Sequence, residues 1–326
     1  MGIACLWGLG RGYAGDREIV VVAGNEVVDL GTEAPAWVSP VSFWEPTRVV
    51  ASAWLEHAPF MFWLVSTLRP KTFVELGTHN GFSFFTACEA GARLGIPMRS
   101  FAIDTWQGDD HAGFYGDDIY NDVLAVKERL YDETAVLCRG YFADFVADFD
   151  DGAVDLLHID GRHGYDDVRE DFESWLPKVS SSGVVIFHDV AVIREGFGVR
   201  QFWSELREQY PSFSFEHCNG LGVISVGSVP PPALKELFSA NDEEAARIRS
   251  FYAARGKVVG EQFNLLSQFD MVSSLRSELE QSLSASQHES SLLRHDIEAL
   301  RTSTSWKLTA PLRAVSERLQ RSSSRP

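Results

Sequence analysis

The sequence predicts an α/β fold: a mostly parallel, seven-stranded sheet with helices on both faces. Three observations carry this reading. From Lys71 to Gln209, short apolar runs alternate with stretches of helical spacing, and strands separated by helices pair in parallel. Apolar runs end at glycine or an acid just before the next helical stretch, as strand-to-helix junctions do. Phe213–His217 and Gly222–Val226 flank Asn219-Gly220, which predicts an antiparallel pair at one edge.

The elements follow in order. Ile19 to Val22 and Val27 to Leu30 are β-branched runs on either side of Ala23–Glu26, a hairpin pattern. Pro35, Pro40 and Pro46 then punctuate an irregular connection. Ala51 to Leu68 reads as a helix, with Pro59 imposing a kink or a division into two. Strands are expected at Thr72–Leu76, Arg99–Ile103, Ala135–Cys138, Val154–Ile159 and Val184–Phe187. Helices are expected at Phe82–Arg93, Val123–Leu130, Tyr165–Trp175 and Val199–Gln209. After Pro230-Pro231-Pro232 the composition changes. Leu265, Phe269, Val272, Leu279, Leu283, Leu293, Ile297 and Leu300 keep a 3-4 spacing that Arg276, Ser286 and Ser290 interrupt. That spacing fits a coiled coil or a single solvated amphipathic helix. The chain therefore divides into residues 1–50, an N-terminal extension; 51–229, the α/β domain; 230–260, a linker or helix; 261–300, a helical or coiled-coil segment; and 301–326, a basic amphipathic tail.

Composition limits the functions. Lys plus Arg is 29 against 46 Asp plus Glu, a formal charge of −17, which argues against duplex nucleic acid as the main ligand. At 45% hydrophobic and 12% aromatic residues, the chain can bury a core. Cys5, Cys88, Cys138 and Cys218 lie far apart, the usage of a reducing compartment without a zinc knuckle. No apolar run is long enough to span a bilayer, and the first residues lack the pattern of a secretory signal. A cytoplasmic protein is expected.

The junctions carry the chemistry. Glu75-Leu76-Gly77-Thr78-His79-Asn80-Gly81-Phe82-Ser83 joins the first strand to its helix, and glycines there let backbone approach a ligand. Its G-x-x-x-G spacing is not the G-x-G-x-x-G of nicotinamide enzymes. Asp104 ends the second strand, where an acid can accept hydrogen bonds from a ribose diol. Each feature alone could be a turn glycine or a surface acid; together and in order they favour nucleoside recognition. His158-Ile159-Asp160-Gly161-Arg162-His163 and Phe187-His188-Asp189 end two neighbouring strands. Carboxylates gathered there suit a hydrated divalent cation, and His163 could remove a proton from a hydroxyl bound beside it. The plainer alternative has His163 capping a helix and Asp189 as a loop acid. His158 shares a strand face with Asp160 and reads as a core histidine.

The stretches ELGTHNGFS, AIDTWQGDDHAGFYG and HIDGRHGYDDVREDFESWLPKVSSSGVVIFHD resemble class I S-adenosylmethionine-dependent methyltransferases. More narrowly, they resemble the metal-dependent sugar O-methyltransferases of bacterial glycan and glycosylated natural-product pathways. The resemblance runs from about Trp54 to Gly227. It implies a Rossmann-like methyltransferase fold, with S-adenosylmethionine and Mg²⁺ (or Mn²⁺) as cofactors. It implies that Glu75, Gly77 and Gly81 border the methionine part of the cofactor and that Asp104 holds its ribose. Thr78, Ser83, Thr105 and Trp106 complete the expected cofactor-binding set. Asp160 and Asp189 would ligate the metal, with His188 as third candidate, and His163 would be the base. The expected reaction is attack of a sugar hydroxyl on the methyl sulfonium, the two reactants being held in line. Two departures stand out: His79 where many methyltransferases have glycine, and His188 where relatives often have an acid or amide. Gly108, Asp109, His111, Gly113 and Tyr115 match the family's long loop after the second strand, which reads as a flexible lid over cofactor or acceptor or as an ordinary surface loop.

Residues 301–326 carry six Lys and Arg against one acid, Glu317, with Trp306, Leu308, Leu312, Val315 and Leu319 interleaved. Such a segment suits an anionic membrane surface or remains a solvated tail; Pro311 marks where a helix would begin. The partners expected are a sugar or glycan acceptor, glycan-assembly enzymes, a second copy through the coiled coil, and the inner face of the cell membrane through the tail, with no nucleic acid. Competing readings are a non-catalytic scaffold with this fold and a relative acting on an antibiotic intermediate.

Overall fold

A computed structural model describes residues 20–23, 26–29, 35–109, 113–227 and 229–323. The chain divides into two compact units, Met1–Phe263 and Asn264–Pro326. In the first, seven strands form one sheet: β1 (Thr72–Leu76), β2 (Arg99–Asp104), β3 (Ala135–Arg139), β4 (Val154–Ile159), β5 (Val179–His188), β6 (Ser212–Phe215) and β7 (Leu221–Ser225). Their order is β3-β2-β1-β4-β5-β7-β6. β1 to β5 pair in parallel, and β7 runs antiparallel to β5 and β6. This is the Rossmann-like methyltransferase arrangement expected from the sequence.

The alternation of side chains along each strand builds two cores. Phe73, Ala102, Leu156, Ile186 and Val223 face one side. Val74, Ile103, Leu157, Phe187 and Ile224 face the other, as a period of two requires. The first side is covered by α1 (Ala58–Leu68), α2 (Phe82–Arg93) and α3 (Asp117–Leu130), the second by α4 (Tyr165–Trp175) and α5 (Val199–Leu206). Pro59 sits in the first turn of α1, after a 3₁₀ turn over Leu55–His57. Proline there forfeits no helical hydrogen bond, so of the two outcomes expected at Pro59 the division into two helical pieces is the one found.

Several boundaries differ from the sequence reading; the helix expected at Val123–Leu130, for one, begins at Asp117. β5 begins at Val179 because the register shifts between Val154 and Leu156 of β4, so Ser180–Gly183 extend the strand. Residues 230–260, expected as a linker or helix, are largely helical. A helix α6 (Pro232–Phe238) leads into α7 (Asp242–Thr302), whose start buries Ile248, Phe251, Tyr252 and Val259 in the first core. Trp37 and Val41 from the segment expected to be an extension join that core, and the Tyr252 hydroxyl donates to the Trp37 carbonyl at 2.7 Å. Val20–Ala23 pairs antiparallel with Glu26–Asp29, a hairpin.

In the second unit, α7 continues to Thr302 and two further helices follow, α8 (Thr304–Leu308) and α9 (Ala310–Ser323). The Ser303 side chain caps α8 by accepting from the Trp306 amide. The Arg313 guanidinium lies 3.7 Å from the centre of the Trp306 ring. Pro311 falls in the first turn of α9, one residue from the start expected. Among the described residues, no helix is long and apolar enough to cross a membrane.

Candidate active site

The chain order reverses between β1 and β4, and open α/β sheets bind ligands at the carboxyl ends of such strands. A cavity of about 790 Å³ opens there. Gly77, Thr78, Ser83, Asp104 and Thr105 line it from the loops after β1 and β2. Asp160, His163, His188 and Asp189 line it from the loops after β4 and β5.

Asp104 organises the first group. Its Oδ2 accepts the backbone N–H of Thr78 at 2.8 Å and of His79 at 2.9 Å, and its Oδ1 accepts that of Trp106 at 2.7 Å. Charge-assisted bonds of this kind are short and strong, and they tie the loop after β1 to the end of β2. Three of the carboxylate's roughly four lone-pair positions are thereby engaged. His79 and Trp106 take left-handed backbone conformations, at φ 47° and 49°, which cost non-glycine residues free energy. His79 thus adopts the backbone conformation that glycine favours. The Trp106 indole secures it by donating to the His79 carbonyl at 3.1 Å. Gly77, at φ 87°, is indispensable for a second reason: a Cβ there would lie 2.1 Å from the Asp160 carbonyl oxygen.

Three residues expected to bind the cofactor do not line the cavity. Glu75 is fully buried on the same strand face as Phe73, and its Oε2 meets Nδ1 of His158, its register partner on β4, at 2.7 Å. The Trp54 indole donates to Nε2 of that imidazole at 3.1 Å, so the His158 proton sits on Nδ1 and is donated to Glu75. Burial raises the Glu75 carboxyl above its ordinary range against the opposing pull of His158. Gly81 begins α2 in a left-handed conformation, with the Phe85 ring where a Cβ would be. Trp106 is wholly buried against Tyr120. These residues shape the site from behind.

The second group is a cluster of carboxylates and imidazoles. Ligand atoms of Asp160, His163 and Asp189 lie within 4.8 Å of one another. Nε2 of His163 is 2.8 Å from Oδ2 of Asp189, and the His163 ring stacks on Phe197 at 4.6 Å. His188 donates from Nε2 to the Cys218 carbonyl at 3.2 Å, which turns Nδ1 to within 3.3 Å of Asp160 Oδ1 and 3.5 Å of Asp189 Oδ1. Such an outer hydrogen bond fixes the tautomer of metal-binding histidines. Burial opposes a charge on His188, but Asp160 and Asp189 outweigh it and hold the imidazole well above its ordinary range. Burial likewise opposes ionisation of Asp189, and its bonds to His163 and His188 overcome that and depress its carboxyl. Asp189 also adopts a left-handed φ of 62°, and the approach of His188 Nδ1 to its buried Oδ1, at 3.5 Å, is too long for a full hydrogen bond. A carboxylate oxygen so placed, facing a second carboxylate and two imidazoles, fits a divalent cation.

The sequence reading missed several residues. Trp54, His79, Phe197 and Asn219 line the cavity. Asp171, on α4, lines it too, its carboxyl pushed up to about 7 by burial and by Asp167 and Glu170. His57 sits behind His188, ring centres 5.7 Å apart, its basicity lowered by burial and then by His217 and His188. Only contacts between distant segments reveal these positions. In the long loop after β2, Gly108 and Asp109 pair with Phe114 and Gly113 as two short strands, and Tyr115 packs on His79 at 5.0 Å; His111 lies outside the described residues.

Residues 74–190 match the family model described as a methyltransferase domain. The matched stretch runs from within β1 to just past the end of β5 and holds every member of the carboxylate–imidazole cluster. An uncharacterized protein, y4gI, of Sinorhizobium fredii is 51% identical over 176 residues, which are 54% of this chain and 19% of that one. The chain thus spans about a fifth of the length of this curated relative. Among solved structures, it is similar to the O-methyltransferase TomG of Streptomyces achromogenes, involved in tomaymycin synthesis and seen with S-adenosylmethionine. They share 16% identity over 59% of this chain and 97% of that one, at a TM-score of 0.41. It is also similar to an O-methyltransferase of Bacillus cereus, at 14% identity over 55% and 84% of the two chains and a TM-score of 0.40.

Proposed function

We propose that this chain is an S-adenosylmethionine-dependent, divalent-metal-assisted O-methyltransferase acting on a sugar hydroxyl in bacterial polysaccharide or glycan biosynthesis. One observation carries the reading: a nucleoside-type junction, Gly77 to Asp104, shares a cavity with the cluster of Asp160, His163, His188 and Asp189. The matched methyltransferase domain supports methyl transfer. The cluster supports an oxygen acceptor, because a carbon acceptor would not require a metal-type donor set beside a base.

S-adenosylmethionine supplies an electrophilic methyl group, and a divalent cation lowers the pKa of a hydroxyl that it binds. Asp160, Asp189 and His188 would hold the cation. The loop from Gly77 to Ser83, braced by Asp104, would hold the cofactor. His163 would act as the base through its imidazole, which the Nε2–H donated to the Asp189 carboxylate orients and whose plane Phe197 fixes. Holding both reactants in one cavity supplies the orientation that in-line displacement needs. The exposed stripe of α7 would join two copies. The basic tail would bring an acidic cytoplasmic body to the inner face of the membrane, beside glycan-assembly enzymes.

Calorimetry with S-adenosylmethionine tests the core of this reading, and no measurable affinity overturns it. Transfer of labelled methyl to candidate sugars, with and without chelator, then tests acceptor class and metal dependence. His163→Ala should keep cofactor binding and lose turnover; undiminished turnover removes His163 as the base.

A further inference from the structure

The loop between β5 and α5 carries a feature that methyl transfer alone does not require. Beside the main cavity lies a groove of about 430 Å³, lined by Val192, Ile193, Arg194, Phe197, Arg200, Gln201 and Ser204. Val192, Arg194 and Phe197 belong to both spaces, so the groove opens directly off the site. Its lining holds two guanidinium groups and no acid, in a chain whose acids outnumber its bases by 46 to 29.

The topology says which reactant the groove serves. Along the sheet edge the order is β3-β2-β1-β4-β5. The nucleoside-type junction occupies the ends of β1 and β2, whereas the groove follows β5, on the far side of Asp160 and Asp189. A molecule reaching His163 from this side passes Phe197, which stacks on the His163 ring. Arg194 lies over the same Phe197 at 5.2 Å, so cation, aromatic ring and base are joined through one ring. Exposed cations paired with hydrogen-bonding side chains recognise phosphoryl and carboxylate oxygens.

We propose that this groove binds an oxyanion carried by the acceptor, so that the substrate is a glycosyl group bearing a phosphoryl or carboxylate, with Arg194 and Arg200 as its anchors. The proposal rests on the methyl-transfer reading for the word acceptor, though not for the binding itself. Apolar Val192 and Ile193, the latter 81% exposed, would pack against whatever extends beyond the anion.

Calorimetry on the full chain, with chelator present so that no phosphate is counted through a bound cation, compares glucose 1-phosphate, UDP-glucose, glucuronic acid and glucose. The oxyanion-bearing probes should bind at least tenfold more tightly than glucose. Arg194→Gln with Arg200→Gln should remove that advantage, while S-adenosylmethionine affinity stays within twofold. UDP-glucose binding best identifies a nucleotide-linked source, glucose 1-phosphate a simple phosphate, and glucuronic acid a carboxylate. Equal binding of glucose and the charged probes, or an advantage that survives the double substitution, overturns the proposal. Loss of S-adenosylmethionine binding in the unsubstituted chain would instead overturn the methyl-transfer reading, leaving the groove's own result legible.

Discussion

Nε2 of His163 lies 2.8 Å from Oδ2 of Asp189, and Nδ1 of His188 lies 3.3 Å from Oδ1 of Asp160. Two imidazoles therefore face two carboxylates across one small space. Mg²⁺ strongly prefers oxygen ligands, whereas imidazole suits first-row transition metals. Mn²⁺ is accordingly expected to bind more tightly than Mg²⁺. Asp160→Asn and Asp189→Asn should each weaken Mn²⁺ binding by about 10–100-fold, the range for disturbed metal sites. The electron paramagnetic resonance of bound Mn²⁺ measures this directly, and affinities unaffected by either substitution would remove the cluster as a metal site.

Asp104→Ala leaves the amides of Thr78, His79 and Trp106 without their acceptor. An unsatisfied buried donor costs about 1–3 kcal/mol, and the left-handed turns at His79 and Trp106 lose what holds them. The variant should melt several degrees lower and lose S-adenosylmethionine affinity. Thermal denaturation and calorimetry on the same sample check both; an unchanged melting temperature would show that the loop is held by other contacts.

The places where sequence failed have a common cause. Strand ends were legible because an apolar run stops at glycine or an acid, which is why Gly77, Asp104, Asp160 and Asp189 all reach the cavity. The Glu75–His158 contact is not legible in the sequence, because the Glu75 side chain follows Phe73 to the buried face and finds His158 only through the β1–β4 register. That register is a property of the sheet and leaves no local trace. Trp54 and Phe197 act across the fold on His158 and His163, so no spacing rule could find them. The sequence does not assign the start of α7 to the core, because its apolar residues count as core only once Trp37 and Phe60 pack against them.

Two glycines are predicted to be intolerant for reasons of space. A Cβ on Gly256 would lie 2.0 Å from the Glu56 carbonyl oxygen, and one on Gly77 would lie 2.1 Å from that of Asp160. Both obstacles are backbone, which cannot swing aside, and overpacking typically costs about 1–3 kcal/mol. Gly256→Ala should lower stability while leaving Mn²⁺ affinity intact in the folded fraction. Gly77→Ala should lower both, because Asp160 must move. Denaturant titration alongside metal binding separates the two cases.

Asp171 gives a pH dependence with a definite sign. Burial, reinforced by Asp167 and Glu170, raises its carboxyl from 3.8 to about 7. The folded protein therefore holds a proton that the unfolded chain has released between those values, and this contribution is lost as pH rises toward 7. Asp171→Asn removes the titration. The variant should be more stable than the parent at pH 8, with the difference vanishing near pH 4. For a domain of this size each 1 kcal/mol corresponds to roughly 2–4 °C, so melting curves at the two pH values resolve it. A difference independent of pH would show that Asp171 ionises normally.

Along α7, Leu265, Phe269, Val272, Leu279, Leu283, Leu293, Ile297 and Leu300 are all exposed in the second unit. A long helix with an uncovered apolar stripe is poorly stable in water unless another surface buries it. The 3-4 spacing makes a like stripe the natural cover, because knobs from one helix fill holes formed by four residues of its partner. Arg276, which interrupts the stripe, pairs with Glu280 at 2.8 Å and keeps its charge at the edge, a placement a two-stranded coil tolerates. Light scattering should return about twice the chain mass of 36.3 kDa. Leu279→Asp with Leu283→Asp should return a single chain with an unchanged melting transition for the α/β unit. A parent protein that stays a single chain at high micromolar concentration would rule out self-pairing through this stripe.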